Sequence, residues 1–331
     1  MIKKIFSLIL CSLFLLVGCS KPPNTQLDEN TDSSPVSKSE VTQVSSYTGE
    51  DTSKEALNNF PFMVIVENST ASRPQSGLNS ADIVYETMAE GGIPRFIALF
   101  QKNLPAKIGP VRSARAYFIS IAKSLNLPFA HCGGSEEALS LISEDKSYMS
   151  INEMYNRNFF WRDNERKAPH NLYTSGENIE KYIKSKNLTY TPNKFMAFNK
   201  NYWSDSSLQD LNALNLVLNK SYSTSYNYKD GFYEKYMDGK PALDMNTNSI
   251  LKFKNIVIQK TEITLSKDNI HLNIRLTGTG NAFVLSNGKI LNGYWKQENN
   301  RTVLYDNKNN EIPLSPGNTI WHIVANDVSI N

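Results

Sequence analysis

Beyond residue 55 the chain is a succession of short apolar runs separated by polar breaks, and each run carries its own periodicity. Phe62-Met63-Val64-Ile65-Val66 is continuous and of strand length, the pattern of a buried strand. Residues 82–86 and 95–100 are two further strand-like runs. The Glu90-Gly91-Gly92 connection between them predicts a hairpin. Over residues 114–125 the spacing becomes helical, with Phe118, Ile121, Ala122 and Leu125 on one face. A strand over 128–132 and a helix over 136–142 follow. Thr174-Ser175-Gly176-Glu177 has the form of a capping box and predicts a helix running to about residue 186.

After about residue 205 the character changes. A helical stretch is expected over 208–214, then alternating segments punctuated at Asp230-Gly231, Asp238-Gly239, Asn287-Gly288 and Pro316-Gly317. Residues 283–291, centred on Asn287-Gly288, carry the clearest hairpin signal in the chain. The reading is an α+β protein: a mixed α/β domain over 56–205, then a β-rich antiparallel domain over 206–331. A single sheet running through both halves would exclude that division.

The N-terminus changes the picture. Lys3 and Lys4 precede an apolar run over residues 5–17, broken only by Ser7, Cys11 and Ser12. That run is well short of the ~20 residues needed to span a bilayer as a helix. Basic start, short apolar stretch and small residues form a secretory signal, expected over residues 1–18. Leu16-Val17-Gly18-Cys19 reads as the lipobox of bacterial lipoproteins, with cleavage before Cys19 and lipid on its thiol, the acyl chains being of the palmitate type. One acyl chain anchors only marginally, and a diacylglyceryl group supplies two. The expected location is the extracytoplasmic face of the cell membrane. Residues 20–53 are rich in Ser, Thr, Asn, Pro, Asp and Glu, so 19–55 is expected to be a flexible tether with a reach of about 30–35 Å.

Cleavage would remove Cys11 and lipid would occupy Cys19, leaving Cys132 and no intramolecular disulfide. The net charge of +3 falls to about +1 without Lys3 and Lys4, and nothing indicates a nucleic-acid partner. No cofactor motif, phosphate loop, G-x-S-x-G or metal-spaced His/Cys/Asp cluster is present in the sequence.

The arginines are unevenly placed. The chain holds nine Arg and 26 Lys, yet seven Arg against four Lys fall between Arg73 and Arg166. A guanidinium fork captures carboxylate or phosphate in a bidentate fashion, which Lys does not. Internal pairing with Asp82, Glu86, Glu90 or Asp163 is the plain alternative. Arg112 and Arg115 stand at the entrance of the 114–125 helix, expected on one face, where cations oppose the helix dipole. Either an anionic ligand or a fixed carboxylate must offset that. Arg95, Arg112, Arg115, His131 and Arg162 are expected to converge on one cleft.

His131-Cys132-Gly133-Gly134-Ser135 joins a strand to a helix. It is either an anion-binding concavity or a tight turn with Ser135 as N-cap. His131 and Cys132 alternate across a strand and so do not form a dyad. Trp161, Arg162, His170 and Asn171 lie in an aromatic, polar loop, which suits either a sugar or peptide groove or a loop pinned to the core. His271 and His322 read as sheet residues.

Taken in order, Arg73-Pro74-Gln75-Ser76-Gly77, Asp82-Ile83-Val84-Tyr85-Glu86, Glu90-Gly91-Gly92-Ile93-Pro94-Arg95, Gly109-Pro110-Val111-Arg112-Ser113-Ala114-Arg115, His131-Cys132-Gly133-Gly134-Ser135 and Phe160-Trp161-Arg162 through Pro169-His170-Asn171-Leu172-Tyr173 resemble the YerB-like lipoproteins of Gram-positive bacteria. The resemblance spans essentially the whole folded region. It implies an exported two-domain lipoprotein without an assigned activity. The family pattern carries Ala or Gly where Cys132 stands, which weakens a catalytic role for that thiol.

Three classes of function remain open on the sequence. The leading one is a non-catalytic envelope lipoprotein binding an anionic or polar ligand: a cell-wall glycan, a peptide, a small anion or an envelope protein. The second is a hydrolase or transferase acting on cell-wall material with His131 or His170 as acid/base; it requires a carboxylate, Ser or Cys within hydrogen-bond reach of one of them in an open cleft. The third is a structural partner of a membrane complex, which requires an exposed apolar patch.

Overall fold

A computed structural model describes residues 43–331; the signal segment, Cys19 and the first part of the tether lie outside them. The continuous apolar run becomes strand β1 (Phe62–Glu67), all six residues buried. β2 (Ile83–Met88) and β3 (Pro94–Phe100) form the expected antiparallel pair. Helix α1 (Ala116–Ser124), β4 (Phe129–His131), α2 (Glu136–Glu144), β5 (Ser150–Asn152) and α3 (Gly176–Ser185) complete this half. The capping box does not form as expected. Ser175 is the N-cap, its hydroxyl accepting from the Asn178 amide, and Glu177 instead faces Lys181 one turn on.

The second half contributes β6 (Gln209–Asp210), β7 (Ala213–Val217), β8 (Ser223–Lys229), β9 (Phe232–Met237), β10 (Asn255–Thr261), β11 (Ile263–Leu265), β12 (Leu272–Ile274), β13 (Thr279–Ser286), β14 (Lys289–Glu298), β15 (Arg301–Asp306) and β16 (Thr319–Ala325). The helix expected over 208–214 is absent; β6 and the start of β7 occupy it, because each finds a strand to pair with. The turn signals Asp230-Gly231 and Asn287-Gly288 close two-residue hairpins, and both residues of each have positive φ. That is the conformation these dipeptides adopt at little cost.

One eleven-stranded sheet runs through both halves in the order β6-β14-β13-β10-β16-β2-β3-β1-β4-β5, with β15 on β14. The expected division near residues 205–215 therefore does not separate two sheets, and the described residues, 43–331, fall within one compact unit. The cause is β16, which inserts between β10 and β2 and runs parallel to both. Overall the fold is mixed α+β. Alternate residues of the strands feed two cores on opposite faces. On one face Val64, Val84 and Phe96 pack with Ile179 and Ile183 of α3 and with Tyr226 and Tyr233 of the small β7–β8–β9 sheet. On the other, Ile65, Ile97 and Val257 pack with Phe118 and Ile121 of α1 and Ala138 of α2.

The expected tether is partly folded. Residues 43–44 pair with 51–52, Tyr47 is buried in the second core, and Thr48 accepts a hydrogen bond from the Gly317 amide. A single aromatic anchors a segment whose average composition is that of a coil. No helix among the described residues is long and apolar enough to cross a membrane.

Candidate functional site

The parallel strands β1, β4 and β5 end together, and their carboxyl ends carry Glu67, His131-Cys132 and Asn152-Glu153. In sheets of this kind, ligands bind outside the carboxyl ends of the strands. Residues 109–114 cross those ends. The Arg112 amide donates to the Ile65 carbonyl, and the Arg112 carbonyl accepts from the Cys132 amide. Arg112 is thus extended chain, four residues ahead of the helix, and does not share a helix face with Arg115. Arg115 is itself the N-cap of α1, without a side-chain cap bond.

The expected five-residue convergence splits. Arg115 makes a two-pronged contact with Glu90, its Nε 2.8 Å from Oε2 and its Nη2 on Oε1. Arg95 adds a bond of 3.1 Å to the same carboxylate and one of 2.9 Å to the Ser113 carbonyl. Burial works to raise the Glu90 carboxyl, but the two guanidinium groups outweigh it and hold it at about 2. Both arginines are buried and their partner is fixed, so this cluster is an internal network. The fixed-carboxylate alternative holds for this pair.

His131 is fully buried. Its Nδ1 donates to the Gly133 carbonyl at 2.7 Å, which leaves Nε2 to accept from the Ser150 hydroxyl at 2.7 Å. Burial pushes the imidazole down to about 4, against the Gly133 bond, so it stays neutral and out of reach of solvent. Ser135 is the N-cap of α2, accepting from the Ala138 amide, as the plain reading of that turn required.

The remaining expected residues do gather. Glu67, almost fully buried, receives His170 Nδ1 at 2.9 Å and the Ser69 hydroxyl at 2.8 Å; Arg112 Nε lies 3.5 Å away. That Nε is buried and has no hydrogen-bond partner among the described residues, although the Arg112 side chain as a whole is 28% exposed. Arg162, exposed on a short strand, donates to Asn171 Oδ1 at 2.9 Å, and Asn171 in turn holds the Asp163 and Arg166 carbonyls. Trp161 stacks on Tyr173 at 6.3 Å. Cys132 Sγ donates to Glu153 at 3.3 Å. Burial, then the Glu153 bond and charge, push the thiol up to about 11 despite Arg162 and Arg112. A thiol held protonated is no nucleophile.

One group was not anticipated. Lys235 on β9 is fully buried, its Nζ bound to Glu86 at 2.7 Å, Thr224 at 2.5 Å and Tyr226 at 2.9 Å. Tyr226 donates to His322 Nε2 at 2.7 Å, and Asn68 donates to the other Glu86 oxygen at 2.8 Å. Burial, then the Lys235 charge, hold His322 well below the usual imidazole range. The signal was present in the alternation: Tyr233, Lys235 and Met237 share one strand face, and its outer two members are core residues.

This arrangement, a mixed sheet spanning both halves with a polar cluster at the ends of its parallel strands, belongs to a family defined by sequence. Residues 47–189 match the N-terminal domain and residues 213–321 the C-terminal domain of the protein family of unknown function DUF3048. The chain belongs to that family. It is 32% identical to a Bacillus subtilis (strain 168) protein named "Putative lipoprotein YerB", over 94% of this chain and 92% of that one. The crystal structure of YerB from Bacillus subtilis superposes with a TM-score of 0.79 at 30% identity, covering 87% of this chain and 99% of that one.

Proposed function

We propose that the protein is a lipoprotein, anchored through Cys19 outside the cytoplasmic membrane, that binds an anionic or polar envelope ligand at the carboxyl ends of β1, β4 and β5. The observation that carries this is the Arg112 side chain: partly exposed, with a buried Nε lacking a hydrogen bond beside a carboxylate already shared by two other groups. An unsatisfied charged donor is costly, and an incoming acceptor relieves that cost. A carboxylate on a peptide or small acid suits Arg112, with Arg162 as a second exposed fork and Trp161, His170 and Asn171 as its surroundings. Arg95, Arg115, His131 and Ser135 are spoken for within the fold and take no part.

Wild type is expected to gain thermal stability with acetate, phosphate or muropeptides by mass action, and Arg112→Ala to lose that gain while remaining folded. An equal shift in the variant, or none in either protein, overturns the reading. The anchor has its own test: Cys19→Ala is expected to leave the membrane fraction or stay unprocessed.

A second reading, a hydrolase or transferase, draws on the Glu67–His170 contact of 2.9 Å, a carboxylate orienting a partly exposed imidazole. Turnover of a muropeptide by wild type but not by His170→Gln would favour it.

A further inference from the structure

An enclosed cleft lies elsewhere, on the α1 face of the sheet, and the Arg112–Glu67 cluster has no part in it. α1 forms one wall, turning Tyr117, Ser120, Ile121 and Ser124 toward it at helical spacing. The β11–β12 hairpin and the chain that follows it form the other wall, through Leu272, Asn273, Ile274 and Arg275. Tyr85 and Trp321, cross-strand neighbours on β2 and β16 with ring centroids 5.7 Å apart, form the floor with Gln259 of β10. The volume is about 350 Å³, within the range of about 300–1,000 Å³ usual for small-ligand sites.

Two polar groups in this cleft have nothing to bind within the chain. Gln259 is 2% and Tyr117 5% exposed. Trp321 Nε1 donates to Gln259 Oε1 at 2.9 Å, which fixes the amide so that its Nε2 is the free end. Gln259 Nε2 and the Tyr117 hydroxyl are both buried without a hydrogen-bond partner among the described residues. Buried polar groups in folded proteins are nearly always paired, so two orphans on one cleft call for a ligand that brings acceptors. Burial raises the Tyr117 phenol, which therefore stays a hydroxyl.

The chemistry of the walls narrows the class. Arg275 is turned onto the Thr277 and Thr279 carbonyls, and Arg301 is held by Glu311, so neither guanidinium is free to select a phosphate or carboxylate. What remains, beside aliphatic side chains and one exposed carboxylate, Glu137, at the edge, is neutral and polar: Ser120, Ser124, Asn273, Gln297 and Asn300 around an aromatic floor. The Ser120 and Ser124 hydroxyls already donate to the Ala116 and Ile121 carbonyls, so their oxygens face a ligand as acceptors. A pyranose ring presents an apolar C–H face and a rim of hydroxyls, and an N-acetyl group adds the carbonyl that Gln259 Nε2 lacks.

We infer that the cleft between α1 and the β11–β12 hairpin binds a neutral amino-sugar, with Gln259 and Tyr117 hydrogen-bonding its carbonyl and hydroxyl oxygens. This stands independently of the Arg112 site.

The test is titration of the full-length lipoprotein in detergent with N-acetylglucosamine and with N,N′-diacetylchitobiose, followed by calorimetry and saturation-transfer NMR. Saturable binding is expected. Tyr117→Phe and Gln259→Met should each weaken it about 3- to 10-fold, the range for one lost hydrogen bond. Tyr117→Phe deletes a hydroxyl that has no protein partner, so its melting temperature should match wild type, and it decides the matter even where Gln259→Met fails to fold. Arg112→Ala should bind both sugars as wild type does. No saturable binding, unchanged affinity in Tyr117→Phe, or loss of sugar binding in Arg112→Ala overturns the inference.

Discussion

Two clusters in this protein are built from the same parts, a carboxylate, a cation and a histidine, and they differ in nearly everything else. Around Glu86 the Lys235 ammonium is sealed, all three of its donors are used, and His322 is locked neutral between Tyr226 and the carboxylate. Around Glu67 the carboxylate is buried too, but Arg112 and His170 are each 28% exposed, and the guanidinium keeps a buried N–H without a partner. Asn68 follows Glu67 directly and donates to Glu86, so the two clusters sit on one short stretch of chain. Residue type did not separate structural from available charge here. Access to solvent did: His322 Nδ1 also lies buried without a hydrogen-bond partner, 3.4 Å from Glu86, but its side chain is fully enclosed, whereas that of Arg112 is not.

The comparison breaks most easily at the sealed end. Lys235→Met leaves Glu86 buried beside His322, and losing one partner of a buried pair costs about 3–5 kcal/mol. Urea denaturation should show that loss, and Lys235→Met combined with Glu86→Gln should recover part of it. A loss below about 1 kcal/mol would mean the network is far wetter than its burial implies. The same double substitution tests what joins the two halves, since Glu86 belongs to β2 and Lys235 to β9.

Acid should act next. His131 is held near 4 in the fold against an ordinary 6.5. Its folded value is depressed, so the unfolded chain binds the extra proton. Stability from this group is complete above pH 6.5 and drains away as pH falls toward 4, by on the order of 3 kcal/mol. Asp82 works the other way, since burial pushes it up to about 6 against backbone N–H groups of Gln101 and Lys102. Comparing His131→Asn with wild type across that window isolates the imidazole. The variant should lose less stability on acidification, and parallel curves would show that His131 does not titrate on unfolding.

Local signals were the legible ones. The hairpins at Asp230-Gly231 and Asn287-Gly288, strand β1 and the helices around Phe118 and Ala138 each follow from chemistry within a few residues. What escaped was pairing across distance. β16 inserts beside β2 although more than 200 residues separate them, and that one insertion turns two expected domains into one sheet. Residues 209–210 and 213–217 lost their helical reading to available strand partners. At the site, the sequence singled out Arg112 and Arg115 and named Glu90 as an internal partner, but the split between Arg115 and Arg112 depends on where the helix starts. It starts at Ala116, which leaves Arg112 extended across the strand ends.

That split yields the smallest effect and the sharpest one. Arg115→Ala strips a two-pronged, mostly buried contact from Glu90 and leaves Arg95 to hold it alone. Removing a hydrogen-bonded charge of that kind should cost about 1.5–3 kcal/mol. Arg112→Ala removes a guanidinium whose Nε stands 3.5 Å from Glu67 without a formed bond, while His170 and Ser69 continue to satisfy that carboxylate. The unligated protein should therefore lose less than about 1 kcal/mol. Equilibrium denaturation of the two variants side by side measures the gap directly. If Arg112→Ala is as damaging as Arg115→Ala, the Glu67 cluster is a structural network like its neighbour, and Arg112 has no binding capacity to spare. If the gap appears, the protein carries at the ends of its parallel strands a charge that its own fold does not need.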